Sequence, residues 1–123
     1  MEIQDLIERQ REFDERHGWS TSYTDPSQQL NALAKDVIGL FGESGEIANV
    51  LKKIQLHQNQ EELEHVFAQH REAMKEEVVD TLIYLIRIAS HLDMDVTTEY
   101  MKKLSSNEEK YRWFECQKLD TKE

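Results

Sequence analysis

Four carboxylates stand out by type and spacing. Glu43 and Glu46 are three residues apart, and Glu77 and Asp80 repeat that spacing further along the chain. On a helix, residues i and i+3 share a face, so each pair can direct two carboxylates at one point. Both pairs sit among apolar neighbours, Phe41 and Ile47 around the first and Val78, Val79 and Leu82 around the second. A solvated helix face would carry mixed charges there instead. If the two segments are antiparallel neighbours, the pairs face each other and form an oxygen-rich cleft. Hard cations ask for such a cleft, and magnesium binds few protein oxygens and completes its shell with water and phosphate. An isolated ExxE or ExxD arises by chance in many charged helices, and such acids also serve as partners of helix N-termini or of Lys35, Lys52 or Lys75.

Long segments rich in Glu, Lys, Gln, Leu and Ala must position these acids, and one proline and four glycines interrupt them. That composition predicts helices throughout. A first helix is expected from Ile3 to about Arg16, ending at His17-Gly18. A second starts at Asp25-Pro26, a cap followed by a first-turn proline, and carries an apolar stripe from Leu30 to Ile54. Gly39, Gly42 and Gly45 lie inside it. Each costs about 1 kcal/mol against alanine, which points to close approach of another helix, a local distortion or room for a ligand. Gln55 to Gln60 is a polar connection. A third helix is expected from about Glu61 to His91, with a break near His70. Its second half, VVDTLIYLIRIAS, is apolar almost all round, the pattern of a helix central to a bundle or buried against a partner subunit. A turn from Asp93 to Thr97, capped by Asp95 or Thr97, leads to a fourth helix over roughly Val96 to Glu115. The final residues, 116–123, are expected to fray.

The expected fold is a single all-α domain of 123 residues, a four-helix bundle-like protomer. Fifteen basic against twenty-five acidic residues give a net charge of −10, which opposes binding to a nucleic-acid polymer. Cys116 is the single cysteine and has no intrachain partner, the first residues show no apolar signal region, and no run reaches membrane-spanning length. A cytoplasmic location without membrane attachment is expected. The five histidines have no metal spacing and are read as surface residues.

The arrangement GLFGESGEIANVLKK, then KEEVVDTLIYLIRIA, then MKKLSSNEEKYRWF resembles the MazG-like all-α nucleoside triphosphate pyrophosphohydrolases over roughly Leu30 to Phe114. The resemblance implies a four-helix protomer that forms a homodimer or homotetramer through its helices. It implies magnesium-dependent hydrolysis, with manganese as a substitute, between the α- and β-phosphates of (d)NTPs, canonical or damaged, to a monophosphate and pyrophosphate. By position, Glu43, Glu46, Glu77 and Asp80 match the metal-binding and catalytic carboxylates, and Glu76 points about a third of a turn away from them. Lys52 or Lys53, with Lys103, Asn107, Lys110 and Arg112, match cationic and amide positions that contact phosphates, although such lysines also make an ordinary solvated face. Asn107 is unusual in mid-helix. Trp19 matches an aromatic position near the base and could stack on it or plug an apolar gap. Trp113 and Phe114 are read as packing or interface residues. Val79 stands where the family often has glycine, and the nearby aromatic appears as Tyr84, which leaves the carboxylate set complete and alters the base pocket. Narrower readings are a dUTP or a phosphoribosyl-ATP pyrophosphatase. A reading of another class is a non-catalytic helical oligomerisation module, for which magnesium would have no effect.

Overall fold

A computed structural model describes residues 1–19, 23–57 and 59–115. Every regular element among them is helical: α1 (Ile3–Arg16), α2 (Pro26–Gln55), α3 (Gln60–His91) and α4 (Val96–Lys110). The expected tail and Cys116 lie outside the described residues.

The chain's own polar residues set the helix boundaries. Glu2 donates its backbone N–H to Asp5 Oδ2 at 2.8 Å at the start of α1, and Gly18 ends it with a left-handed φ of 78° that glycine adopts without strain. Asp25 caps α2 by accepting from the Gln28 N–H at 2.9 Å, with Pro26 as the first helical residue. Asn59 and Asp95 cap α3 and α4 in the same way. Asp95 therefore settles the choice left open with Thr97. The break expected near His70 does not occur, since α3 runs through it for 32 residues. The fourth helix is shorter than expected and stops at Lys110, with a separate helical turn over 112–115.

The long helices α2 and α3 pack on each other as an antiparallel hairpin, α1 lies against α3, and α4 lies against α1. Spacing along the two long helices gives the hairpin two distinct sides. Glu43 and Gly39 on α2 oppose Asp80 and Tyr84 on α3. On the far side of each helix run Leu30, Ala34, Ile38 and Phe41 and, on α3, Val78, Leu82 and Leu85. Ile38 and Phe41 are more than 70 % exposed, and Val78 and Leu85 about half exposed. Among the described residues the buried apolar side chains are Ile7, Ile54, Ile86 and Ala89, a small core for so long a hairpin.

Of the three glycines of α2, Gly39 alone is explained by packing within the chain. A Cβ there would overlap the Tyr84 ring, whereas Gly42 and Gly45 face open space.

Candidate active site

The hairpin register brings acids from both helices together. One carboxylate oxygen each from Glu43, Glu77 and Asp80 lies within 4.8 Å of the other two. Glu43 and Glu77 are half-buried and Asp80 is exposed, so the trio forms a cleft open on one side. Glu77 Oε2 is buried and receives no hydrogen bond from any described residue. An orphaned buried acceptor is costly unless a cation or donor completes it.

The Glu77 carboxyl is pushed up to about 7. The first cause is the Glu43 carboxyl close enough to share a hydrogen bond with the protonated form, followed by removal from water and by the proximity of Glu46. Glu46 thus stands beside the trio without belonging to it and is itself exposed. Hard oxygen donors, one of them buried and unpaired, fit a divalent cation better than any softer metal.

Along the same side of the hairpin a cavity of about 460 Å³ opens, lined by Asp14, Trp19, Lys35, Asp36, Tyr84, Arg87 and His91 among others. Asp80, Tyr84, Arg87 and His91 follow one another at i, i+4, i+7 and i+11, a single stripe of α3. Tyr84 is therefore one turn from the carboxylates and Arg87 two turns, about 10 Å along the axis. Arg87 reaches α1 through a forked pair of bonds, Nε to Asp14 Oδ2 and Nη2 to Asp14 Oδ1, both 3.0 Å. Gln10 adds a third bond to Asp14 Oδ1 at 2.9 Å, and Asp14 is 3 % exposed. The Arg87 guanidinium carbon lies 5.5 Å from the centroid of Trp19 and 5.4 Å from that of Tyr84.

At the far end of the cavity His91 is buried, which corrects its assignment to the surface. Its Nε2–H donates to Asp36 Oδ2 at 2.5 Å, its Nδ1 is hydrogen-bonded to the Tyr23 hydroxyl, and its carbonyl accepts from Gln29 at 2.5 Å. Burial and the nearby Asp36 charge push the Tyr23 hydroxyl upward. This network joins the start of α2 to the end of α3, and fourteen residues, about 21 Å of helix, separate His91 from Glu77. Direct proton transfer to a reaction at the carboxylates is ruled out by that distance.

Other residues singled out in the sequence are not drawn into contacts with these groups. Lys52, Lys53, Lys103 and Arg112 are exposed, and none makes a side-chain hydrogen bond or ion pair with a described residue. Lys110 lies over the Tyr111 ring, and Asn107 is half-buried. Trp19 stands at the cavity wall with half its surface exposed.

A family model described as the MazG-like family matches residues 43–122. The chain belongs to the MazG-like family. Membership suggests an activity of the nucleotide pyrophosphohydrolase type and a nucleotide substrate. No curated protein and no solved structure matches the chain significantly. The matched stretch contains all four carboxylates together with Tyr84, Arg87 and His91, and it leaves out α1 and the first half of α2. Asp14, Trp19 and Asp36, which complete the cavity, thus come from outside the matched region. Periodicity on α3 was the available signal for Arg87 and His91, and an acid seven residues after buried Ile7 was the signal for Asp14. Neither spacing shows what lies across the gap.

Proposed function

We propose that this MazG-like protein hydrolyses nucleoside triphosphates between the α- and β-phosphates, giving a monophosphate and pyrophosphate. The observation that carries the reading is the carboxylate trio with its orphaned Glu77 oxygen, placed one helical turn from an aromatic-walled cavity. Glu43, Glu77 and Asp80 would hold a divalent cation, magnesium or in its place manganese, which when bound neutralises polyphosphate charge and the charge gathering on the leaving pyrophosphate.

Linear order along α2 gives the substrate a direction. The cavity lies beside Ala32 to Asp36, the first acidic pair follows at Glu43 and Glu46, and Lys52 and Lys53 come two further turns on. A base in the cavity puts the α-phosphate near the trio and sends the β- and γ-phosphates toward these lysines. Trp19 and Tyr84 flank the base. Glu46, exposed beside the trio, accepts the proton of the attacking water on its carboxylate. Water's oxygen bonds to the α-phosphorus, the bond to the bridging oxygen breaks, and pyrophosphate leaves.

Oligomer formation belongs to the same reading. A second copy of the chain covers the Ile38–Phe41 and Val78–Leu85 faces, because so few apolar side chains are buried within one protomer. Lys103, Asn107, Lys110 and Arg112 lie on or just past α4, which packs on α1, and they serve as phosphate contacts once the assembly forms. Among the described residues no helix is long and apolar enough to cross a membrane. The lone cysteine and the acidic charge support a cytoplasmic enzyme acting on free nucleotides. Pyrophosphate release from a panel of (d)NTPs with and without millimolar magnesium tests the reaction. Magnesium-dependent release with a monophosphate product is expected, and its absence for every nucleotide would leave a helical assembly module in its place.

A further inference from the structure

Asp14 does not use up the hydrogen-bonding capacity of Arg87. A guanidinium carries five N–H groups. Asp14 takes the Nε–H and one Nη2–H, the side-on fork. The three that remain belong to Nη1 and Nη2, and one from each forms the end-on fork. No described residue accepts from it, and the side chain is 20 % exposed where it lines the cavity. Asp14 itself is spent, since both its oxygens already accept from Arg87 and Oδ1 also from Gln10. In Asp36 one oxygen is committed to His91 and Oδ1 is left as an acceptor on the same wall.

Resting on the pyrophosphohydrolase reading, we infer that Arg87 and Asp36 make this cavity selective for 6-oxopurine nucleotides, those of guanine and hypoxanthine. The end-on fork of an arginine matches the paired acceptors O6 and N7 of such a base. The ring N1–H lies on the other side of O6 and is the donor that Asp36 Oδ1 lacks. Adenine opposes both contacts, with an amino donor against the guanidinium and a bare ring nitrogen against the carboxylate. Uracil offers the keto oxygen and the adjacent N–H but has no second acceptor for the fork, and cytosine reverses the pattern. Asp14 acts here as a positioning residue, because its forked bond fixes the plane of the guanidinium. Arg87 lies two turns from Asp80, which sets the far edge of a base beyond a sugar and an α-phosphate at the trio.

The test measures kcat/KM for pyrophosphate release from dGTP, dITP, dATP, dCTP and dUTP by the whole chain and by Arg87→Lys. The lysine keeps the charge and loses the fork. Wild type is expected to favour dGTP and dITP over dATP by about tenfold or more, and Arg87→Lys to remove most of that ratio by losing dGTP and dITP turnover preferentially. A measurement on the unaltered protein stands beside it, since 7-deaza-dGTP, which lacks the N7 acceptor, should lose about tenfold against dGTP. Turnover without a 6-oxopurine preference, or an equal loss for all five nucleotides in Arg87→Lys, overturns the inference and leaves the pyrophosphohydrolase reading intact. The equal loss is what a purely structural ion pair between α1 and α3 would produce. No turnover of any nucleotide by wild type overturns both.

Discussion

Two clusters of acids line the same side of the α2–α3 hairpin, and they are treated in opposite ways. At the closed end, Asp14 is fully engaged by Arg87 and Gln10, and Asp36 is held by His91 through one of its two oxygens. Two turns away, Glu43, Glu77 and Asp80 crowd together with no cation from any described residue, and one buried oxygen has no partner among those residues. The first cluster finds a cation or an N–H donor for each acid within the chain and ties three helices together. The second is left short of positive charge, a state that costs stability and is retained where a ligand supplies what is missing. Burial alone therefore does not distinguish a structural acid from a functional one; the presence or absence of a partner does.

Substitutions should separate the clusters by both size and sign. The largest effect is expected for Asp80→Ala, which removes an exposed member of the trio. Activity should fall about 100-fold or more with the fold intact by circular dichroism, and a loss under about threefold would detach the trio from the chemistry. Asp14→Ala should instead lower stability by about 3 kcal/mol, the low end for breaking a buried pair because Arg87 retains some contact with water. A denaturant midpoint that implies under about 1 kcal/mol would class the pair with solvated surface bridges.

Gly39→Ala should cost about 1 kcal/mol net, since displacement of the half-buried Tyr84 ring outweighs the helix propensity gained. Gly42→Ala meets open space and should be neutral or stabilising in the protomer. Equal thermal shifts for the two would show that Tyr84 yields freely.

The smallest effect is a pH dependence. Glu77 is raised in the folded state to about 7 from an ordinary 4.5, so between those values the folded chain binds more protons than the unfolded one. Stability of the metal-free protein should then fall as pH rises through that window. Glu77→Gln should flatten the slope, and so should saturating magnesium, because the cation replaces the proton. An unchanged slope in Glu77→Gln would move its origin to another group.

Much of the candidate site could be read from the chain. The ExxE and ExxD spacings named all three members of the trio together with Glu46, because a helix puts i and i+3 on one face whatever surrounds it. Asp25-Pro26 and His17-Gly18 marked helix ends for equally local reasons, through a side-chain acceptor, a fixed φ and a left-handed residue. Local pattern failed where a role depended on a partner distant in sequence. His91 looked like one more solvent-facing histidine, yet it is buried by Tyr23, 68 residues away, and Asp36, 55 residues away. Arg87 stands inside an apolar run with nothing nearby in sequence to mark its partner, Asp14, 73 residues earlier.

By itself the sequence determined the helices, their caps and the faces on which acids and apolar residues gather, since those follow from backbone geometry and side-chain chemistry within a few turns. Tertiary structure alone decided which acids would be neutralised and which left open. That choice depends on the register of α2 against α3 and on the reach of α1 across them, and a sequence period carries no record of what stands on the other side of a helix interface.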